Sequence, residues 1–146
     1  MILWRVSRFR DLKGTGGLRA SGRWHTAGRP IVYLAESAAG AILEVCAHTA
    51  SNNVPPAIVM LEIEGPEMTV PAVEQKELKG DWVGEIETTR AIGDRWLAAG
   101  KSALLRVPSV IAPSTFNVLF NPVHPKAREF EIRQVYVYPF DPRLKK

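Results

Sequence analysis

The sequence predicts an α+β fold, because strand-like runs outnumber helical ones and the two do not alternate in the β-α-β rhythm of a doubly wound parallel sheet. The chain has 146 residues, and no repeat, low-complexity tract or Pro/Gly/Ser-rich linker divides it. One domain over residues 1–146 is expected. A chain of this length buries roughly 68–70% of the surface its unfolded form exposes, so it needs no covalent staple.

Ile2 to Phe9 carries apolar and aromatic residues suited to a strand, and a Gly-rich segment follows. Pro30 to Ala35 reads as a short buried strand, after which Ser37 is placed to cap a helix running to about His48. On that helix Ala41, Ile42, Val45 and Cys46 form the apolar stripe, whereas Ser37, Gly40, Glu44 and Ala47 share another face. Asn52-Asn53-Val54-Pro55-Pro56 breaks the chain. Ala57 to Glu64 begins as a continuous apolar run and ends alternating, a largely buried strand closed by Gly65-Pro66. From Glu67 to Thr88 the pattern is weak, with Val70, Val73 and Leu78 as short strand or turn pieces before Trp82; a loop covering a substrate suits this stretch. Thr88 or Thr89 is expected to cap the next helix, Ile92 and Trp96 stand four apart on it, and Gly100 stops it. Ser102 to Val107 and Val118 to Phe120 are expected strands around Pro113-Ser114-Thr115, and Phe130 to Tyr138 is the last strand before Pro139.

Hydrophobic residues make up 46% of the chain and charged residues 23%, an ordinary globular balance that excludes a disordered or membrane-dominated class. No charged-then-apolar leader opens the sequence and no apolar run approaches a bilayer span, so a cytoplasmic protein with no membrane partner is expected. Cys46 is the single cysteine; an internal disulfide and every multi-cysteine zinc arrangement are excluded. The formal charge of +4, with a basic end at Arg143-Leu144-Lys145-Lys146, suits a phosphorylated small molecule, an acidic protein or weak nucleic-acid contact without choosing among them.

The segment from Gly14 to Glu44 is the hardest to explain as scaffold. Gly14, Gly16, Gly17, Gly22 and Gly28 permit positive φ and close approach of backbone to a ligand, and Arg19, Arg23 and Arg29 supply forked cations suited to phosphate oxygens. An anionic guest is implied. Gly40 beside Glu44 weakens an interior helix, so backbone or substrate is expected to approach there. A solvated Glu44 with Gly40 as a packing accommodation is the plain alternative.

Ser-Gly-Arg-Trp at 21–24, Pro-Ile-Val-Tyr-Leu-Ala-Glu-Ser at 30–37, Ala-Ile-Leu-Glu at 41–44, Gly-Asp-Arg-Trp-Leu at 93–97, Arg-Val-Pro-Ser at 106–109 and Asn-Pro-Val-His-Pro at 121–125 together resemble the RES domain. These ordered blocks span most of the chain. The resemblance implies an ADP-ribosyltransferase-like fold, with a mixed, mostly antiparallel split sheet and flanking helices. It also implies the toxin half of a toxin–antitoxin pair that consumes NAD by hydrolysis or phosphorolysis, or transfers ADP-ribose to a protein acceptor. The implied partner is a cognate Xre-type helix-turn-helix antitoxin. The Arg, Glu and Ser for which the family is named match Arg23, Glu44 and Ser109. Two departures stand out, since the family block is commonly Gly-Gly-Arg-Trp-Asn whereas this chain has Ser21 and His25.

Breaking the nicotinamide–ribose bond builds positive charge on the ribose, and a fixed carboxylate in a water-poor pocket stabilises it; Glu44 is the expected group. Arg23, helped by Arg19, is expected to hold the diphosphate or the adjoining ribose. Tyr33 is expected to stack its ring on nicotinamide and bond a ribose through its hydroxyl, and Ser109 to orient Glu44 or a ribose hydroxyl. Each has a plain structural rival. Arg23 stacking on Trp24 or satisfying loop carbonyls, Tyr33 in the core and Ser109 as turn punctuation all remain open. Asn121 and His124 stand outside this set, with turn capping the better account of Asn121.

His25, His48 and His124 lack metal-ligand spacing, so no metal is expected, and NAD is expected as substrate with no resident cofactor. Gly14-Thr15-Gly16-Gly17 lacks the ending of a phosphate-binding P-loop and does not open directly into a helix as a dinucleotide fingerprint does. Two other functions fit the composition. A basic nucleic-acid-binding or RNase-like toxin would use Arg8, Arg10, Arg19 and Arg29 near Phe9 and Trp24, and a non-catalytic module would bind NAD without turnover. A homodimer would form through an exposed strand edge or the Trp82 region.

Overall fold

Six strands make one sheet in the computed structural model, which describes residues 1–145. Lys146, the last residue of the basic end, lies outside the described residues. The strands are β1 (Ile2–Val6), β2 (Val32–Ala35), β3 (Ala57–Glu64), β4 (Leu104–Pro108), β5 (Phe116–Phe120) and β6 (Glu131–Pro139). They run in the order β4-β5-β2-β1-β3-β6 with every neighbour antiparallel, so the mostly antiparallel α+β fold is present. Three helices accompany them: α1 (Thr15–Arg19), α2 (Ala38–His48) and α3 (Ile86–Ala99).

Strand alternation divides the core between the two faces of the sheet. Leu3, Val32, Leu34, Leu61, Ile63, Leu104, Val118 and Phe120 pack together on one face, closed by Phe130. On the other, the register sets Tyr33 opposite Leu119 and Ala35 opposite both Asn117 and Trp4. Both long helices lie on this second face. The α2 residues Ala38, Ile42 and Cys46 pack on Trp4, Ile58 and Met60, while the α3 residues Ile92 and Leu97 pack on Leu105, Val107 and Leu119. A strip between the helices, over the Tyr33 part of β2, is left open.

At the same place the sheet splits. β1 and β3 share a full ladder from Ile2 to Val6, but β1 and β2 share the single pair Trp4 and Ala35. Beyond it Arg5 and Val6 do not pair with Leu34 and Tyr33, which opens the sheet beside the strip.

Local signals account for most element ends. The Ser37 hydroxyl accepts the Gly40 N–H at 3.0 Å and caps α2, and Gly100 ends α3 at φ 58, the left-handed stop that favours glycine. Several expectations need correction: β2 and β4 each start two residues late, at Val32 and Leu104. β1 ends at Val6, short of Phe9, and β5 starts at Phe116, two residues early. The Gly-rich segment is not all loop, because residues 15–19 form α1. Of its five glycines only Gly14 and Gly28 have positive φ; Gly17 is needed because a Cβ there would lie 2.6 Å from the Arg29 carbonyl oxygen. Finally, α3 starts at Ile86, before Thr88 and Thr89, because the buried Thr89 hydroxyl is bonded to the carbonyl oxygens of Arg23 and Ile86 and caps nothing.

Residues 66–85 hold no strand, in keeping with their weak pattern. Pro71 and Val73 exchange backbone hydrogen bonds with Arg106, so this stretch covers the β4 edge of the sheet. A Cβ added at Gly40 would meet the Ser37 Oγ at 3.2 Å and the Ala35 Cβ at 3.5 Å, so α2 runs close to the end of β2 there.

Candidate active site

The uncovered strip is the floor of a cleft of about 650 Å³, within the range that holds small-molecule ligands. Its walls include Arg23, Tyr33 and Glu44, together with Arg5, His25 and Asn117. Three of the predicted residues therefore share one cavity. Ser109 stands just behind it, bonded to Glu44, and Arg19 is outside the lining, exposed in the last turn of α1.

Glu44 projects from the middle of α2 toward β5. Its Oε1 accepts from Asn117 Nδ2 at 2.7 Å and lies 3.4 Å from Ser109 Oγ. The Ser109 hydroxyl also accepts the N–H groups of Ile111 and Ala112, so it is both turn punctuation and a neighbour of the carboxylate. On the same helix the His48 Nδ1 donates to the Glu44 carbonyl at 2.8 Å and stays 4.0 Å from Oε2.

Arg23 sits in a tight turn, residues 22–25, that α3 grips along one face. Arg90 Nε donates to the Gly22 carbonyl at 2.8 Å and the Thr89 hydroxyl to the Arg23 carbonyl at 2.7 Å. The Asp94 carboxylate accepts the Thr26 N–H and hydroxyl at 2.8 and 2.7 Å. Gly93 lies flat against the Trp24 carbonyl, where any Cβ would overlap the oxygen. Positions 89, 90, 93 and 94 share one helix face, which is why a single helix makes all four contacts. The Arg23 guanidinium donates to the Val83 carbonyl at 2.9 Å, so residues from the patternless 66–85 stretch reach the cleft rim.

Tyr33 departs from its expected role in one respect. Its hydroxyl is 2.8 Å from His25 Nδ1 and accepts the Trp24 N–H at 3.1 Å. Because His25 Nε2 faces the Gly17 carbonyl, which can only accept, the proton sits on Nε2 and Nδ1 takes the Tyr33 proton and the Gly22 N–H. The fold uses this hydroxyl proton, so it is not free for a ribose, and the side chain lines the cleft. Burial pushes the phenol up to about 12, opposed by the Trp24 hydrogen bond and by Arg90 and reinforced by Asp94. His25, 2% exposed, is thus a structural member of the turn.

Arg5 and Asn117 were missed by the sequence reading. Each had a signal, a charge inside Ile-Leu-Trp-Arg-Val and an amide inside Phe-Asn-Val-Leu-Phe, that only a known neighbour makes meaningful. The Arg5 guanidinium donates to the Asp11 carbonyl at 2.9 Å, and burial lowers its basicity despite the Asp11 carboxylate, which acts the other way. Asn121 and His124 lie outside the cleft lining and cap turns: Asn121 Oδ1 accepts the Val123 N–H and His124 Nδ1 the Lys126 N–H. Among the described residues no cluster of His, Cys, Asp and Glu could hold a metal ion.

Residues 2–141 match the model of the RES domain. The chain belongs to the RES domain family. This RES domain is 49% identical over 146 residues to Toxin Res of Pseudomonas putida, covering 99% of each chain. It is 37% identical over 139 residues to the Prs ADP-ribosylating toxin of a Sphingobium species, covering 92% of this chain and 86% of that one. Its fold is that of a chain in the crystal structure of the M. tuberculosis MbcT-MbcA toxin–antitoxin complex, with a TM-score of 0.68 over 98% of this RES domain and 85% of that chain at 21% identity.

Proposed function

We propose that this RES domain is the toxin of a toxin–antitoxin pair and that it consumes NAD by breaking the nicotinamide–ribose bond. The observation that carries this reading is Glu44, held by Asn117 and Ser109, in one cleft with Arg23 and Tyr33. Departure of nicotinamide leaves an oxocarbenium-like ribose, and a carboxylate already fixed beside it stabilises that charge with little reorganisation. Arg23 and Arg5 supply guanidinium donors for the diphosphate, which orients the reacting end. The Tyr33 ring face stacks on the departing nicotinamide.

The group that takes the ribose is water, inorganic phosphate or a protein side chain. A relative bearing the name ADP-ribosylating toxin supports the last as one outcome. The toxin–antitoxin complex of the structural neighbour supports an antitoxin partner, for which the family resemblance suggests an Xre-type helix-turn-helix protein. No helix of the described residues is long and apolar enough to cross a membrane. A cytoplasmic site of action is part of the proposal.

The test is product analysis. Purified chain incubated with NAD, with and without phosphate and with a cell extract as acceptor source, is expected to release nicotinamide. Glu44→Gln is expected to keep its circular dichroism and lose that release by about 100-fold or more. No nicotinamide under any of the three conditions overturns the reading.

A further inference from the structure

The carboxylate of Glu44 is restrained from the sheet, not from its own helix. Asn117 lies on β5 directly opposite Ala35 of β2 and Val107 of β4, so ladders on both sides fix its backbone. Its neighbours Phe116 and Val118 point to the opposite face, as alternation requires. The small Ala35 side chain leaves Asn117 room to reach α2. A carboxylate only accepts, so the Asn117 amide presents its NH₂ group to Glu44 Oε1, in a charge-assisted bond of 2.7 Å.

We propose that Asn117 is the positioning residue of this site: it pins Oε1 of Glu44 and leaves Oε2 facing the substrate sugar. The proposal rests on the NAD-cleaving reading. Three further observations support it. Glu44 is the one carboxylate among the described residues that line the cleft, so the single amide in that lining is bonded to its single acid. The Ser109 hydroxyl is farther, at 3.4 Å, long for an O–H donor to a carboxylate, so it restrains Oε1 more weakly than Asn117 does. Oε2 sits 4.0 Å from His48 Nδ1, outside hydrogen-bond reach, and takes no hydrogen bond among the described residues.

A merely structural asparagine would matter to stability alone; a positioning one matters to turnover with little effect on binding. Asn117→Ala is expected to lower kcat for nicotinamide release by roughly 10- to 100-fold while KM for NAD stays within about twofold. Asn117→Asp keeps the shape and places a second carboxyl against Glu44, so that the pair shares one proton. With that proton present the introduced group still donates to Oε1; as pH rises and it is lost, the restraint becomes repulsion. The other charged or titratable side chains of the cleft, Arg5, Arg23, His25, Tyr33 and His48, are the same in both proteins. The rate profile of this variant is therefore expected to fall on the alkaline side at a pH where the wild type is still fully active.

Crystal structures of the wild type and of Asn117→Ala give a readout independent of turnover: the Glu44 carboxylate is expected in one orientation in the first and in several in the second. Wild-type kcat and an unshifted profile in both variants, or an unmoved Glu44 carboxylate in Asn117→Ala, overturns the proposal. Failure of the wild type to cleave NAD sinks the broader reading, and the crystallographic comparison still decides whether Asn117 holds Glu44.

Discussion

The phenolic oxygen of Tyr33 lies 2.8 Å from Nδ1 of His25, and the two side chains tie the floor of the cleft to the Gly-rich segment above it. Tyr33 comes from β2, while His25 reaches Gly17 and Gly22 through its two ring nitrogens. This arrangement absorbs the histidine that departs from the common family block. It also makes the ring position of Tyr33 depend on that turn.

Tyr33→Phe leaves the Trp24 N–H without its acceptor and His25 Nδ1 with the longer Gly22 bond alone. A loss of about 1–3 kcal/mol is expected in urea unfolding. Wild-type stability has an alkaline component as well. With the folded phenol pushed up to about 12 by burial, the unfolded chain releases its proton first, from near its ordinary value of 10.0. The stabilisation is complete below about pH 10 and is lost as pH rises toward about 12, at most of order 2–3 kcal/mol. Melting temperatures across that range should fall less steeply in Tyr33→Phe, and equal slopes would contradict the buried, hydrogen-bonded phenol.

The two arginines expected to hold the diphosphate are separated by the structure. Arg23 lines the cleft and Arg19 does not. Arg23→Ala is expected to raise KM for NAD by about tenfold or more, while Arg19→Ala stays within about twofold. Steady-state kinetics of the two variants would refute the assignment if their effects were equal.

Arg5 carries a prediction of its own. Arg5→Met keeps the apolar stem in the strand and removes a half-buried charge, so stability should change little. KM for NAD should rise by about tenfold, and Arg5→Lys should not restore it, because an ammonium lacks the fork. Full affinity in Arg5→Met would remove this residue from the ligand contacts.

Gly93→Ala tests the grip of α3 on the turn. The added methyl has no space against the Trp24 carbonyl, and a loss of about 3 kcal/mol or more is expected, with Arg23 displaced and NAD binding weakened. Gly16→Ala is the matched control, since nothing lies within 4 Å of its Cβ position. It should be neutral or stabilising by up to about 1 kcal/mol. Chemical denaturation of the pair would count against the grip if both variants behaved alike.

What could be read from residues alone was local. Apolar runs and their turn residues located α2 and β3 nearly to the residue and the end of β2, because period and capping are properties of neighbours in sequence. The ordered blocks singled out Arg23, Tyr33 and Glu44 together. Where the local signal was ambiguous the reading slipped: a Gly-Gly-Leu-Arg turn of helix looked like loop, and Thr89 looked like a cap because its true partner is 66 residues away.

The rest came from folding. Asn117 meets Glu44 across 73 positions, and Arg5 joins the cleft only because β1 and β2 part after one pair. Strand order and register, which decide which side chains share a face, result from burying apolar surface over the whole chain and leave no trace in any short window. The residue types capable of the chemistry were visible in the one-dimensional pattern. Which of them touch, and which hydroxyl or amide is already committed to the fold, followed from contacts that exist only once the sheet has closed.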